Sequence, residues 1–149
     1  MINTKISEEI SAINDLLHET KPFRQQNGSD EVSFCVKIVS ANTIHSFYNG
    51  LELIFIELLS IIDESKPSGS HWHKKLFDSM FGYNSRNIVL IRTDIKKQLY
   101  ECLIFRHLFR NIYCNKLDWN RIKPIIHNLD EVWNMIKFDI ETFINLDKI

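Results

Sequence analysis

Glycine and proline are scarce in this chain, four and three among 149 residues. That leaves little material for the many tight turns of a β-sandwich or barrel. There is no Gly-rich phosphate loop, which excludes a nucleotide enzyme of P-loop or Rossmann type, and no GxS nucleophile turn. The three cysteines, Cys35, Cys102 and Cys114, form no CxxC pair and are odd in number. They argue for a reducing compartment and against a disulfide framework or zinc ribbon. Net charge is close to zero, at −1, so any affinity for nucleic acid must come from a local basic patch. The first residues contain no apolar core of a secretory signal. The longest apolar stretch, around Leu51 to Ile62, is interrupted by Glu52, Glu57 and Ser60 and is expected not to span a bilayer. A soluble, cytoplasmic protein of one domain over residues 1–149 is expected, with no membrane association.

What is present is helical period almost throughout. Ile6, Ile10, Ile13 and Leu16/Leu17 predict a short first helix that stops before Pro22, followed by a loop over residues 21–33. A long helix starts between Val32 and Ala41. Its apolar positions Ile44, Phe47, Tyr48, Leu51, Ile54/Phe55, Leu58/Leu59 and Ile62 keep the i, i+3, i+4, i+7 rhythm, and Lys66 to Ser70 ends it. Ser70 is placed as the N-cap of a shorter helix, His71 to Phe81, closed by Gly82. Ile88 to Ile91 has no partner strand in view and reads as an extended connection. Thr93 or Asp94 caps a helix running to Tyr113. After a turn at Asn115 to Asp118, a last helix carries Ile122, Ile125/Ile126, Leu129, Val132/Trp133, Ile136, Ile140 and Phe143. Pro124 falls in or near its first turn, where a missing N–H costs little. The fold class is all-α, an up-and-down bundle of four to five helices.

Six histidines invite a metal reading, but no metal-ligand spacing supports it. His71 and His73, two apart, point to nearly opposite sides of a helix, so a surface or capping role outweighs a metal site. His45, beside the core positions Phe47 and Tyr48, reads as a partly buried, satisfied side chain rather than a ligand. Cys102 reads as a small core hydrophobe and Cys114 as a free surface thiol. No cofactor and no metal are expected.

The segment Phe105 to Tyr113 is different. At ~100° per residue, Ile95, Leu99, Cys102, Phe109 and Tyr113 fall on one stripe, and Arg106 falls within it with Arg110 alongside. A buried unpaired cation costs several kcal/mol in practice, so Arg106 must meet either an acidic side chain or an anion such as a phosphate. His107 and Asn111, and Arg106 and Arg110, are i, i+4 pairs, and Arg110 and Tyr113 are i, i+3. In the plainer reading the arginines pair with acids of neighbouring helices and Tyr113 is core. The chemical reading is a phosphodiester site. Arginine steadies the phosphate and its developing charge, while an imidazole moves the proton of an RNA 2′-hydroxyl.

Arg106-x4-Asn111-x-Tyr113 resembles the Arg-x4-His-x-Tyr motif of HepT-like HEPN proteins, the ribonuclease toxins of toxin–antitoxin pairs. Flanking blocks fit in order and spacing: His45-Ser-Phe-Tyr-Asn-Gly50, Pro67-x-Gly69-x-x-Trp72-His73, and Leu117-Asp118. The resemblance covers about Ile38 to Phe143. Arg121 to His127 also matches a bare Arg-x-His pattern, with a proline inside, and is set aside as chance. The resemblance implies a HEPN bundle that forms a homodimer through the motif helix, with two motifs meeting in a cleft. It implies metal-independent cleavage of RNA, such as tRNA, and an MNT-type nucleotidyltransferase antitoxin that adenylylates the motif tyrosine. Carried onto this sequence, Arg106 is the catalytic phosphate-binding residue, Arg110 a substrate-binding neighbour and Tyr113 the modification site.

Asn111 departs from the pattern, because it stands where the motif has histidine. An amide cannot exchange a proton near neutral pH. Three readings of this position stand side by side: an engineered inactivating change, a natural loss of activity, or an imidazole supplied by His107 one turn earlier. The expected function is therefore a toxin ribonuclease impaired in this form. The alternative is a catalytically inactive HEPN module that binds RNA or a nucleotide, or scaffolds a nucleotidyltransferase.

Overall fold

The computed structural model describes residues 4–24, 32–82 and 86–147, apart from the side chain of residue 147. Five α-helices carry it: α1 (Thr4–Arg24), α2 (Phe34–Ile61), α3 (Trp72–Ser79), α4 (Lys96–Phe109) and α5 (Trp119–Asp147). Single turns of 3₁₀ helix, Thr93–Ile95 and Cys114–Lys116, lead into α4 and out of it. No strand is formed among the described residues, and the protein is an all-α bundle of five helices among those residues.

α2 is the axis of the bundle. It is apolar nearly all round, as a helix must be when neighbours cover every face, and each of the other four helices packs on it. By length and composition alone α2 would cross a membrane, contrary to the expectation from its interrupted apolar run. Its buried side chains, including Ile44, Phe47, Leu51, Phe55 and Leu58, instead form the middle of the protein core. α1 approaches closely at Gly50, where a Cβ would stand 3.1 Å from Cδ1 of Ile13.

Helix ends account for most departures from the sequence expectation. α2 begins where expected, with Ser33 as N-cap accepting a hydrogen bond from the Val36 amide. It ends at Ile61, five residues before Lys66. Asp63 there adopts φ 61°, its amide donates to the Ser60 carbonyl, and the Glu64 amide donates to the Leu59 carbonyl. That is a Schellman cap with aspartate in the left-handed position that glycine usually fills. α1 does not stop before Pro22 but continues to Arg24, so residues 21–24 of the expected loop are helical. Residues 25–31 of that loop lie outside the described residues, and residues 32–33 lead directly into α2. Ser70 is not the cap of α3. His71 holds that place at φ 62° without a side-chain cap bond, and α3 is only Trp72–Ser79. Gly82, at φ 85°, does not close α3 directly: the helix ends at Ser79 with Met80 as its C-cap, two residues before the glycine. Pro124 is the sixth residue of α5, in its second turn, so the Asn120 carbonyl forgoes an amide partner there.

Two ion-pair clamps fix the outer elements. Arg24 of α1 binds Asp130 of α5, and Arg92, before α4, meets Asp139 of α5 through Nη2 at 2.7 Å. The Trp133 indole N–H donates to Asn14 at 2.8 Å, a further tie between α5 and α1.

Candidate phosphate site on the motif helix

α4 is shorter than its sequence period suggests. Leu99, Cys102 and Phe105 are buried, but the helix ends at Phe109, which is half-buried, and Arg110 caps it. Phe105 therefore belongs to the buried stripe. Tyr113 does not: it lies beyond the helix and is 79% exposed. The i, i+3 relation of Arg110 and Tyr113 is lost with the helix. Asn111 is exposed and lies just past the last turn of α4. Its Nδ2 donates to the His107 carbonyl at 2.8 Å, satisfying one of the orphan carbonyls every helix end leaves. His107 is exposed, about 100° round the helix from Arg106, and no imidazole contact joins it to that arginine.

Arg106 has its partners on α2, where His45, Asn49 and Glu52 fall at i, i+4 and i+7 along one face. Nε of Arg106 donates to Asn49 Oδ1 at 2.9 Å and lies 3.3 Å from Glu52 Oε1. Glu52 is only 4% exposed, and a carboxylate so placed must be compensated. Its second oxygen takes Nδ1 of His73 on α3 at 2.8 Å, so one buried acid joins three helices. The His73 ring lies against Trp72, with centroids 3.6 Å apart, and Lys66 sits over that indole at 4.5 Å.

The choice between an acidic partner and an anion thus has a divided answer. Nε is held by protein groups. The two Nη groups make no hydrogen bond among the described residues, and neither is sealed from solvent. A guanidinium anchored by its Nε and open at its planar fork is suited to bidentate recognition of a phosphate.

His45 belongs to the same cluster. Its ring lies 4.8 Å from that of Phe109, tilted by 36°, and its Nδ1 is 3.5 Å from Asn49 Nδ2. Burial first, then the positive charges of Arg106 and Arg110, hold its pKa below the usual histidine value. The expectation of a partly buried side chain is met, but sequence reasoning missed its place beside Arg106. It also missed Asn49, Glu52 and His73. Their signal was present: an acid and an amide at i, i+3 on the inward face of the most apolar helix.

The remaining polar and thiol groups fall elsewhere. Cys102 is buried under α4, and burial pushes its thiol up to about 12, in keeping with a core role, while Cys35 and Cys114 are exposed. No group of three or more His, Cys, Asp or Glu side chains suited to a metal ion occurs among the described residues. A groove of about 510 Å³ lies between α4 and α5, lined by Lys97, Cys102, Phe105, Leu108, Arg121 and others. It opens on the other side of α4 and does not include Arg106, so it is not the site assembled around that residue.

A family model described as HepT-like protein matches residues 39–146. The chain belongs to the HepT-like family. No curated protein and no solved structure matches it. The matched span holds all of α3, α4 and nearly all of α2 and α5, and so every residue of the HepT-like site described above. α1 lies outside it and braces α2 and α5 from behind.

Proposed function

We propose that this HepT-like chain is the toxin subunit of a HEPN/MNT pair, a metal-independent endoribonuclease type whose activity is impaired by Asn111. The observation that carries this reading is the Arg106 guanidinium, fixed through Nε by Asn49 and Glu52 while its two Nη groups make no hydrogen bond among the described residues. Such a group holds a phosphodiester and stabilises charge developing on it, with no metal required by that step. Arg110, exposed at the helix end, adds positive potential beside it. The amide of Asn111 cannot move a proton, and its use as a helix cap explains how asparagine fits the position without disturbing the bundle.

Homodimerisation through α4 suits its outer face. Tyr100 and Ile104, at i, i+4, are exposed apolar side chains, with Leu108 one turn on. The exposed Tyr113 phenol is accessible to an MNT-type nucleotidyltransferase as an adenylylation target. Free thiols at Cys35 and Cys114 suit a reducing cytoplasm.

The test compares tRNA cleavage by the chain, by Asn111→His and by Arg106→Ala. The reading expects little cleavage by the parent, a gain in Asn111→His, and none when Arg106→Ala is combined with it. No gain in Asn111→His together with no effect of Arg106→Ala would overturn the catalytic assignment. The second reading, an RNA-binding module without chemistry, is favoured by the cap role of Asn111. It expects RNA to bind uncut in both backgrounds, with Arg106→Ala weakening binding and lowering its salt slope. Incubation with a nucleotidyltransferase and ATP, followed by mass analysis, should place an adenylyl group on Tyr113. Tight association without modification would instead indicate a scaffold.

A further inference from the structure

The orientation of Asn49 is set by Arg106. An Nε–H can only donate, so the amide oxygen faces it at 2.9 Å and the amide nitrogen faces away. That nitrogen is a donor, and it meets Nδ1 of His45 at 3.5 Å. The contact is long, but a proton on Nδ1 would set one N–H against another. Nδ1 therefore keeps its lone pair, and the ring proton sits on Nε2. Nε2 has no hydrogen-bond partner among the described residues and is not sealed from water. Phe109 holds the ring in place from α4. The charged groups around it oppose a second proton: Arg106 and Arg110 act from α4, while Glu52, on its own helix, is already taken by Arg106 and His73.

We propose that His45 is a phosphate-contacting residue of this site, a neutral imidazole whose Nε2–H donates to a non-bridging oxygen of the phosphodiester held by the Arg106 fork. The inference rests on the phosphodiester reading above and extends it to a residue outside the motif. It also assigns the kind of work His45 does. A ring with Nδ1 facing an amide donor and Nε2 already protonated polarises an oxygen but does not accept a proton. The proton transfer absent at Asn111 is therefore not restored by His45.

The test uses the full chain labelled with ¹⁵N and a 2′-O-methylated oligoribonucleotide, which binds without being cut. Ring nitrogen resonances recorded above pH 6.5, the ordinary histidine value below which this pKa is held, are expected to show the Nε2–H form, and Nε2 should shift on addition of the oligonucleotide. His45→Phe keeps an aromatic ring against Phe109 and removes the donor. It should weaken binding by about tenfold, the loss of one hydrogen bond to a charged group, with the helical circular dichroism unchanged. An Nδ1–H ring, or an Nε2 indifferent to an oligonucleotide that needs Arg106, overturns the assignment of His45 and leaves the phosphodiester reading standing. Binding that survives both His45→Phe and Arg106→Ala overturns the two together.

Discussion

Arg24 and Arg106 are both guanidinium groups withdrawn from solvent, and they are withdrawn for different ends. Arg24 uses all of its nitrogens: Nε to Thr20, Nη1 to Asp130, and Nη2 to both Asp130 and the Leu17 carbonyl. Those bonds close the last turn of α1, past Pro22, and fasten it to α5. Arg106 uses Nε alone and leaves its fork open. Burial of a cation therefore does not by itself separate a clamp from a binding site; the set of nitrogens left unsatisfied does.

The largest effect is expected from removing the clamp. Arg24→Ala should lower stability by about 2–3 kcal/mol, since several buried hydrogen bonds go while the half-exposed Asp130 can rehydrate. Urea titration measures this, and RNA binding should persist in the folded protein. Equal loss of binding would erase the distinction between the two arginines.

Paired lysine substitutions sharpen it. Lysine keeps the charge but not the fork. Arg24→Lys should still cost about 1–2 kcal/mol, because one ammonium does not reach Thr20, Leu17 and Asp130 together. Arg106→Lys should cost less than about 1 kcal/mol, as a cation remains beside Glu52, yet should weaken RNA binding about tenfold or more. The reverse pattern would make Arg106 the clamp.

The smallest effect is a pH limb. His45 has a folded pKa below the unfolded value of 6.5, so beneath pH 6.5 the unfolded chain binds the proton more readily. Stability should therefore rise as pH increases through the window from the lowered pKa to 6.5, then level off. His45→Phe should remove that limb, whereas Arg24→Ala should leave it in place. A limb that survives in His45→Phe belongs to another group.

Much of the bundle was legible because helical period reports burial directly. The apolar positions named for α2 and α5 are the buried ones, apart from a half-buried Ile125. Helix ends were less legible. Asp63 in a left-handed cap, and α1 continuing through Pro22, depend on hydrogen bonds to groups that local propensity does not register. Within the site, the oddity of Arg106 was visible on a wheel of α4, but its partners were not. Asn49 and Glu52 lie 57 and 54 residues away in sequence, on a helix whose own pattern says only that they face inward.

By itself the sequence determined the all-α class, the inward faces of the helices and the family, since these follow from periodicity and motif order along one chain. Only the tertiary structure decided what the arginine does. Packing α4 on α2 supplied Asn49 and Glu52 to Nε, left the two Nη groups without a hydrogen bond among the described residues and brought His45 alongside. The physical reason is that satisfaction of a buried polar group is a property of the atoms that surround it in space. Those atoms come from helices that no local pattern relates to one another.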